Sequence, residues 1–541
     1  MSRARRAAVC MAAGCVALAA LALGAPALAA PPGPGAFASA SLAPPDATLL
    51  VHVRDAKSLR GDGTLLPAQA ALARLAGSRV LGDAWSRIAA ELGTDGAGLV
   101  DLVLGTDAVY IERPRDGGVE WAIATRVEQP VYDQLVAKLK PAIEGNGRVT
   151  FASQQIAAAW RAPWLVLGGA GQRALLDAVV ERLEAAQAVP SLADQADLAP
   201  LRSWEVAPIE LVWRHGAPTG GTTAVAARAA DGALRLRHRS RWEKAPFHVA
   251  SGAAADAGVL RALEPGAIAV LSMNPWRGAL DPGEPIDALL LEGQIDDAMR
   301  ANMGARQAVV VGERAIDGTR MRVPTLGIAF EVRDPVLAEK QWDGWARRLV
   351  ESLARRVGEA QPPAPTVGAT GTARSAAIAP MVRTLFSDHP LLQATDLAWV
   401  TSAGAGGAWQ LVATDPALLE PMARALAGAV READSDGAHE LGALSGAALA
   451  AHLRSWGSEA RRFAPEAAES FAQAVALAAE IAGAAQQVRW RAKALDGGVV
   501  ESEVLVMLPA PPAPIAPPPA AAPAAPTPAP DAPAKPPEKA P

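Results

Sequence analysis

The chain has 541 residues, half of them apolar, a formal net charge of −5 and two cysteines. That length suggests two to four domains with a sizeable core, and so small an imbalance implies no global attraction to nucleic acid or to an anionic membrane. Both cysteines, Cys10 and Cys15, lie in a leader; once it is removed, thiol nucleophiles, cysteine-ligated zinc and iron–sulfur clusters are excluded.

Residues 1–29 read as a signal peptide: Arg3, Arg5 and Arg6 form a positive n-region, an apolar run follows to Gly24, and Ala27-Leu28-Ala29 offers small residues for cleavage. The chain is expected to be exported, to the periplasm or cell envelope. Two other fates of the leader stay open. The apolar run approaches the ~20 residues of a membrane span and could be kept as an anchor, and Cys15 follows Ala13-Gly14 as a site for lipidation, although the run continues past it, the wrong shape for a lipoprotein signal. Residues 30–43 are expected to be a linker.

A first α+β lobe is expected over 44–250, opening with the strand of PPDATLLVHVRDAKSL. Its centre, Thr106 to Ile143, reads as strand, turn, strand, helix. In the second strand Ile123, Thr125 and Val127 alternate with Ala122, Ala124 and Arg126, a period of two that predicts a half-buried antiparallel strand. The helix opens at Pro130-Val131, where proline sacrifices no intrahelical bond, and Val131, Leu135, Leu139 and Ile143 form one apolar stripe. Hairpin and helix follow (IAAAWRAPWLVLGGAGQRALLDAVVERL), then a hairpin about Asp231-Gly232.

The same order returns in a second lobe, 262–508, which starts with EPGAIAVLSMNPWRGAL near Pro265. AIATRVEQPV faces GIAFEVRDPV without a gap, Asp334 is placed to cap a helix carrying Trp342, Trp345 and Leu349, and a last hairpin turns at Asp496-Gly497. This copy adds a Pro/Gly/Ala-rich loop at about 359–372 and an alanine-rich helix after Pro465 with Phe471, Val475 and Ile481 on one face. The fold class is therefore α+β, two tandem similar lobes of mainly antiparallel sheet with packed helices. Residues 509–541, rich in proline and alanine, are expected to be a disordered, polyproline-like tail.

Familiar chemistry is sparse. Gly169-Ala170-Gly171-Gln172-Arg173-Ala174 imitates a dinucleotide-binding turn, but its neighbours read as antiparallel hairpins and the second copy has Ala413-Thr414-Asp415-Pro416 there, so a tight turn is expected and no cofactor. Histidines 52, 215, 238, 248, 389, 439 and 452 make no metal pair at helical spacing, and no metal is expected. His439-Glu440 lacks a second histidine, Ser445-Gly446 fails as a nucleophile elbow, and Asp296-Asp297 reads as a solvated helix face, so no catalytic residue is assigned. One charge feature stands out in LRLRHRSRW: Arg235, Arg237, Arg239 and Arg241 share a strand face, and the preceding strand TTAVAARAADG offers no acid before its turn. They form a candidate anion-binding ridge for a phosphate- or carboxylate-bearing envelope polymer, against the plainer reading of a solvated face. In the matching hairpin Arg489, Arg491 and Lys493 can lie across from Glu501 and Glu503.

PPDATLLVHV, LVLGTDAVYIE, VEQPVYDQL, WLVLGG and PSLADQADL together resemble a family of uncharacterised secreted bacterial proteins known as a domain of unknown function. The resemblance spans most of 44–250 and, more loosely, the second copy. It implies an exported α+β protein and supplies no catalytic residues.

No stretch assigns an activity. The expected function is that of a non-enzymatic cell-envelope structural or interaction protein whose partner is an anionic envelope polymer or another envelope protein. Two alternatives stay open: a periplasmic carrier of an apolar ligand, which needs a deep apolar cavity, and a hydrolase assembled from dispersed residues, which needs a cleft with converging acids or histidines.

Overall fold

The alternating runs pair into one large sheet. The computed structural model describes residues 35–55, 98, 106–115, 118–151, 156–169, 171, 173–185, 189–214, 220–230, 233–241, 254–273, 291–316, 318–359, 361–367, 373–404 without 386–394, 406–434, 436–459, 468–495 and 498–508. The leader, the Asp231-Gly232 and Asp496-Gly497 turns and the tail lie outside the described residues.

The strands of the first half are β1 (Leu49–Arg54), β2 (Asp107–Arg115), β3 (Gly118–Arg126), β4 (Ala142–Gly145), β5 (Arg148–Phe151), β6 (Ile156–Arg161), β7 (Trp164–Gly169), β8 (Ile209–Arg214), β9 (Thr222–Ala230) and β10 (Ala233–Arg241). Those of the second are β11 (Ala269–Met273), β12 (Met303–Ala315), β13 (Arg322–Val332), β14 (Thr366–Val367), β15 (Arg374–Ala376), β16 (Leu397–Gly404), β17 (Gly407–Ala413), β18 (Glu440–Ser445), β19 (Gln487–Leu495) and β20 (Val499–Met507). Nine helices occur among the described residues: α1 (Gln129–Leu139), α2 (Arg173–Glu184), α3 (Ala257–Leu263), α4 (Asp297–Asn302), α5 (Pro335–Val357), α6 (Ala379–Leu385), α7 (Leu419–Ala427), α8 (Gly446–Gly457) and α9 (Ala468–Gly483). None is long and apolar enough to cross a membrane.

From edge to edge the strand order is β4-β5-β6-β7-β3-β2-β1-β8-β9-β10-β20-β19-β18-β11-β12-β13-β17-β16-β15-β14, antiparallel at every step. The pairings among β1–β10 thus recur in order among β11–β20; β3 lies between β2 and β7 as β13 lies between β12 and β17. Within the sheet the halves join at β10 and β20. The protein is an α+β fold in which sheet dominates.

Helices cover both faces. In the first half α2 places Leu175, Leu176, Val179 and Val180 against Leu50, Val109, Ala122, Ala124 and Val212, while α1 brings Leu135 to Val127, Val149, Phe151 and Leu165 on the other side. In the second half α5 packs Trp342, Trp345 and Leu349 on Ile328, Phe330 and Val412, and α3 and α7 cover Val270, Ala308, Ala329 and Leu411. In β3 the sealed face is that of Glu120, Ala122 and Ala124, the face expected to be the weaker one, whereas on the other face Thr125 is buried and Trp121 and Ile123 are half-buried. Alternation of apolar with small residues resembles alternation with polar ones, and small side chains are what let a helix lie close.

Three further expectations change. Residues 35–43, expected as linker, join the core: Ala36, Phe37, Ala40 and Ala43 are buried, with a 3₁₀ turn over Ala38–Leu42. Ile143 is not in the α1 stripe. Pro141 cannot continue the helix, Lys140 closes it in the left-handed region at φ 45°, and Ile143 passes to β4, 78% exposed. On α9 the buried pair is Val475 and Ala479, four apart, with Ile481 only half-buried. The Asp334 cap forms as expected, accepting from the N–H groups of Val336 and Leu337 at 3.0 Å each.

Candidate functional site

The four arginines of the expected ridge share a face of β10, as period two requires, but β10 has a second neighbour. Arg239 donates to Glu501 of β20 at 2.7 Å, Arg235 lies 3.1 Å from Glu503, Arg241 donates to Asp197 at 2.5 Å, and Arg237 stands 4.7 Å over the Trp204 ring. The open row of guanidinium groups is thereby corrected to a charge ladder along a strand seam. Two of the missing acids, Glu501 and Glu503, come from a strand more than 260 residues away, and the third, Asp197, from the segment before β8; none comes from β9. Across the next ladder Arg491 donates to Glu503 at 2.8 Å, the cross-strand pair that the sequence suggested, whereas Arg489 turns to Glu264 at 3.1 Å. On the opposite face, His238 lies between two hydroxyls, its Nδ1 2.8 Å from Ser502 Oγ and its Nε2 2.7 Å from Ser240 Oγ, which is 2.7 Å from Thr223 Oγ1.

Each half also contains a buried charge cluster. His52 on β1 is opposite Glu210 on β8 and one diagonal step from Asp107 on β2. Its Nε2 is 2.5 Å from Asp107 Oδ1, while Nδ1 is 3.7 Å from Glu210 Oε2, attraction through space rather than a hydrogen bond. Glu210, fully buried, also accepts from Arg54 at 3.0 Å and from the Phe37 N–H at 2.9 Å. Burial pushes its carboxyl up, yet His52, Arg54 and the Phe37 N–H outweigh that and hold it below the usual range.

In the second half Arg306 uses all three guanidinium nitrogens: on Asp256 at 2.9 Å, on Glu331 at 3.0 and 2.7 Å, and on the Gly406 carbonyl at 2.9 Å. It lies 4.9 Å over the Trp409 ring. Burial raises the Glu331 carboxyl, but Arg306 and the N–H groups of Ala305 and Arg306 bring it below its ordinary value. The first half has the same arrangement with the signs exchanged: acid Asp107 on β2, Arg126 on β3 at 3.5 Å, and Arg126 5.0 Å over Trp164 on β7. Such clusters pin strands and caps; their carboxylates are already engaged by cations and N–H groups.

Two cavities among the described residues bear on the choice of function. One of about 260 Å³, mainly apolar, runs beside the β4 edge, lined by Tyr132, Val136, Ala137, Ile143 and Val149 together with Asp133 and Arg148. The other, about 60 Å³, lies at the seam between Asp197, Thr222, Arg239 and Arg241. Neither is the deep cavity that a carrier of a large apolar ligand would need.

The remaining candidates have structural work. Strand β7 is antiparallel to both β3 and β6, so the glycine turn before α2 belongs to no parallel βαβ unit; Gly171 accepts from Arg115 at 3.1 Å, and Ala170 and Gln172 lie outside the described residues. Asp296 caps α4 and Asp297 pairs with Arg300. Ser445 caps α8, His439 Nδ1 accepts the Ala494 N–H at 3.2 Å, and buried His452 lies 3.3 Å from Glu313, burial holding its imidazole below the ordinary value. His215, His248 and His389 lie outside the described residues. Among those described, no group of three potential ligands could hold a metal ion. Sequence reasoning missed the His52 and Arg306 clusters, since their partners come from segments far apart in the chain; the one signal was a histidine and an arginine alternating with leucine and valine in LLVHVR. No family model, curated protein or solved structure matches the chain.

Proposed function

We propose that the chain is a non-enzymatic, exported cell-envelope interaction protein, built from two similar lobes fused through the β10–β20 seam, with the Pro/Ala-rich tail as a spacer. The resemblance of its motifs to a secreted family fits this reading. The observation that carries it is a contrast: the charged clusters close on themselves inside the fold, while the larger cavity is an apolar trough open along the β4 edge, with Ile143 at its rim. An exposed strand edge beside an apolar trough suits an extended polypeptide of an envelope protein. With three of the four arginines of the seam in ion pairs, a polypeptide fits better than an anionic polymer.

A photo-crosslinking residue in place of Ile143, in cells of the source organism, tests the reading. A discrete adduct in the envelope fraction, on a chain whose N-terminus follows Ala29, is expected. Adducts spread over many abundant proteins, or none, would refute it. His238 with its flanking serines favours a second reading, a hydrolase with a dispersed site, because a histidine within reach of a hydroxyl is the minimal nucleophile and base. A fluorophosphonate probe that labels Ser502, and fails to label the His238→Gln variant, would establish the hydrolase in place of the first reading.

A further inference from the structure

The β10–β20 seam has a geometry that constrains what its charges do. Each strand has nine residues and they pair end to end, Ala233 opposite Met507 and Arg241 opposite Val499, so that the fifth residue of each, Arg237 and Glu503, face one another. A seam centred in this way is the pairing that two identical strands would make about a twofold axis, in which each strand's centre faces its partner's. The backbone by itself therefore does not distinguish β10 with β20 from β10 with a second β10, or β20 with a second β20, contributed by another copy of the chain. Unpaired, each strand would be an exposed edge offering its N–H and C=O groups to any such partner.

The side chains do distinguish them. In the observed seam Arg239 faces Glu501 directly at 2.7 Å and Arg235 reaches Glu503 diagonally at 3.1 Å. In a β10–β10 pairing of the same register Arg237 would face Arg237 and Arg235 would face Arg239, three like-charged contacts on one face. In a β20–β20 pairing Glu503 would face Glu503. Like charges directly opposite destabilise a strand pair whereas opposite charges favour it, and discrimination between partners follows from the repulsion in the wrong pairing as much as from the attraction in the right one. Lys493 of β19, opposite Glu501, and Arg491, opposite Glu503, extend the same alternation.

We infer that Arg235, Arg237, Arg239, Glu501 and Glu503 form a pairing code that makes β10 select β20 and reject a second β10 or β20, so that the two halves close on each other instead of on another copy. This rests on the two-lobe reading above.

The test uses the full chain. In the native protein, hydrogen exchange must find the amides of β10 and β20 protected. If they are not, the seam and the two-lobe reading both fail, whatever the charges do. Given that protection, Glu501→Arg/Glu503→Arg is expected to speed exchange in β10 and β20 by about tenfold or more while leaving β3 and β7 unchanged. Adding Arg235→Glu/Arg237→Glu/Arg239→Glu on β10 and Arg491→Glu/Lys493→Glu on β19, which restores opposite signs on both sides of β20, is expected to return the native rates, including where the two-site variant alone is too unstable to purify. Neutralising all five to glutamine is expected to keep the seam formed, but to raise several-fold the fraction that refolds as oligomers from concentrated solution, read by light scattering. Unchanged exchange in the reversed variant, failure of the seven-site variant to recover, or a neutral variant that refolds with the native monomer fraction would each overturn the code.

Discussion

Arg306 shows what a single residue contributes here. It is nearly buried, and it is the counter-charge for both Asp256, itself sealed, and Glu331. Removing one partner of a buried ion pair leaves an uncompensated charge, typically at about 3–5 kcal/mol. Arg306→Met should therefore lose roughly that much stability in denaturant unfolding, and Arg306→Lys should recover only part of it, since an ammonium cannot reproduce the fork across Asp256, Glu331 and Gly406. The pH dependence has a definite sign. The Glu331 carboxyl is held below its ordinary value in the fold, so its contribution is complete above the unfolded value of roughly 4.3 and is lost as pH falls through the folded one. The acid limb of the stability curve should be shallower in Glu331→Gln than in the native chain, and an identical limb would mean that the carboxylate is not stabilised by Arg306. None of this cluster was legible in the sequence. Asp256, Arg306, Glu331 and Gly406 lie on four separate segments, and each alone looks like an ordinary surface residue.

Elements were far more legible, because period and capping chemistry are local. The strand, strand, helix order of β2-β3-α1 and β12-β13-α5, the Asp334 cap and the Trp342, Trp345, Leu349 stripe all appear as the sequence spacing requires. What spacing could not supply was the second layer. Ala122 and Ala124 read as the weaker face of β3, whereas they are the floor on which α2 rests. On α5 the packing is dense: Trp345 is fully buried, its ring edge-on to Trp342 at 5.0 Å, and Gly293 lies so close to the indole that a Cβ there would collide with it. Trp345→Ala should open a cavity that Phe330 and Trp342 cannot fill, destabilising the chain by about 3–5 kcal/mol in urea unfolding. A loss below about 1 kcal/mol would show that α5 can slide to refill the space.

At the scale of the whole molecule, the repeat in strand order could be anticipated, but the joint could not. Alternation says which face of β10 is charged and nothing about which strand lies beside it, and the seam partner is 262 residues away. Beneath one end of the ladder the joint is apolar, the other end being the His238–Ser240–Ser502 network. Leu234 and Leu236 of β10 share one buried cluster with Val53, Ile209, Leu211 and Val225 on the first-half side and with Val506, Leu508 and Ala485 on the other. A core that runs without interruption across the joint should couple the halves, so the native chain should melt in one calorimetric transition with equal calorimetric and van't Hoff enthalpies. Leu236, 5% exposed, is the side chain of β10 that faces Val504 directly. Truncating it to alanine costs about 2–5 kcal/mol in transfer and cavity terms, and because that cost falls at the joint, it should weaken the coupling more than it weakens either half. The expected thermogram of Leu236→Ala therefore has two resolved transitions, whereas Val166→Ala, placed in the core under α2, should lower a single transition without dividing it. Two transitions already present in the native chain, or a single lowered peak in both variants, would mean that the halves are held together by something other than the cluster beneath β10 and β20.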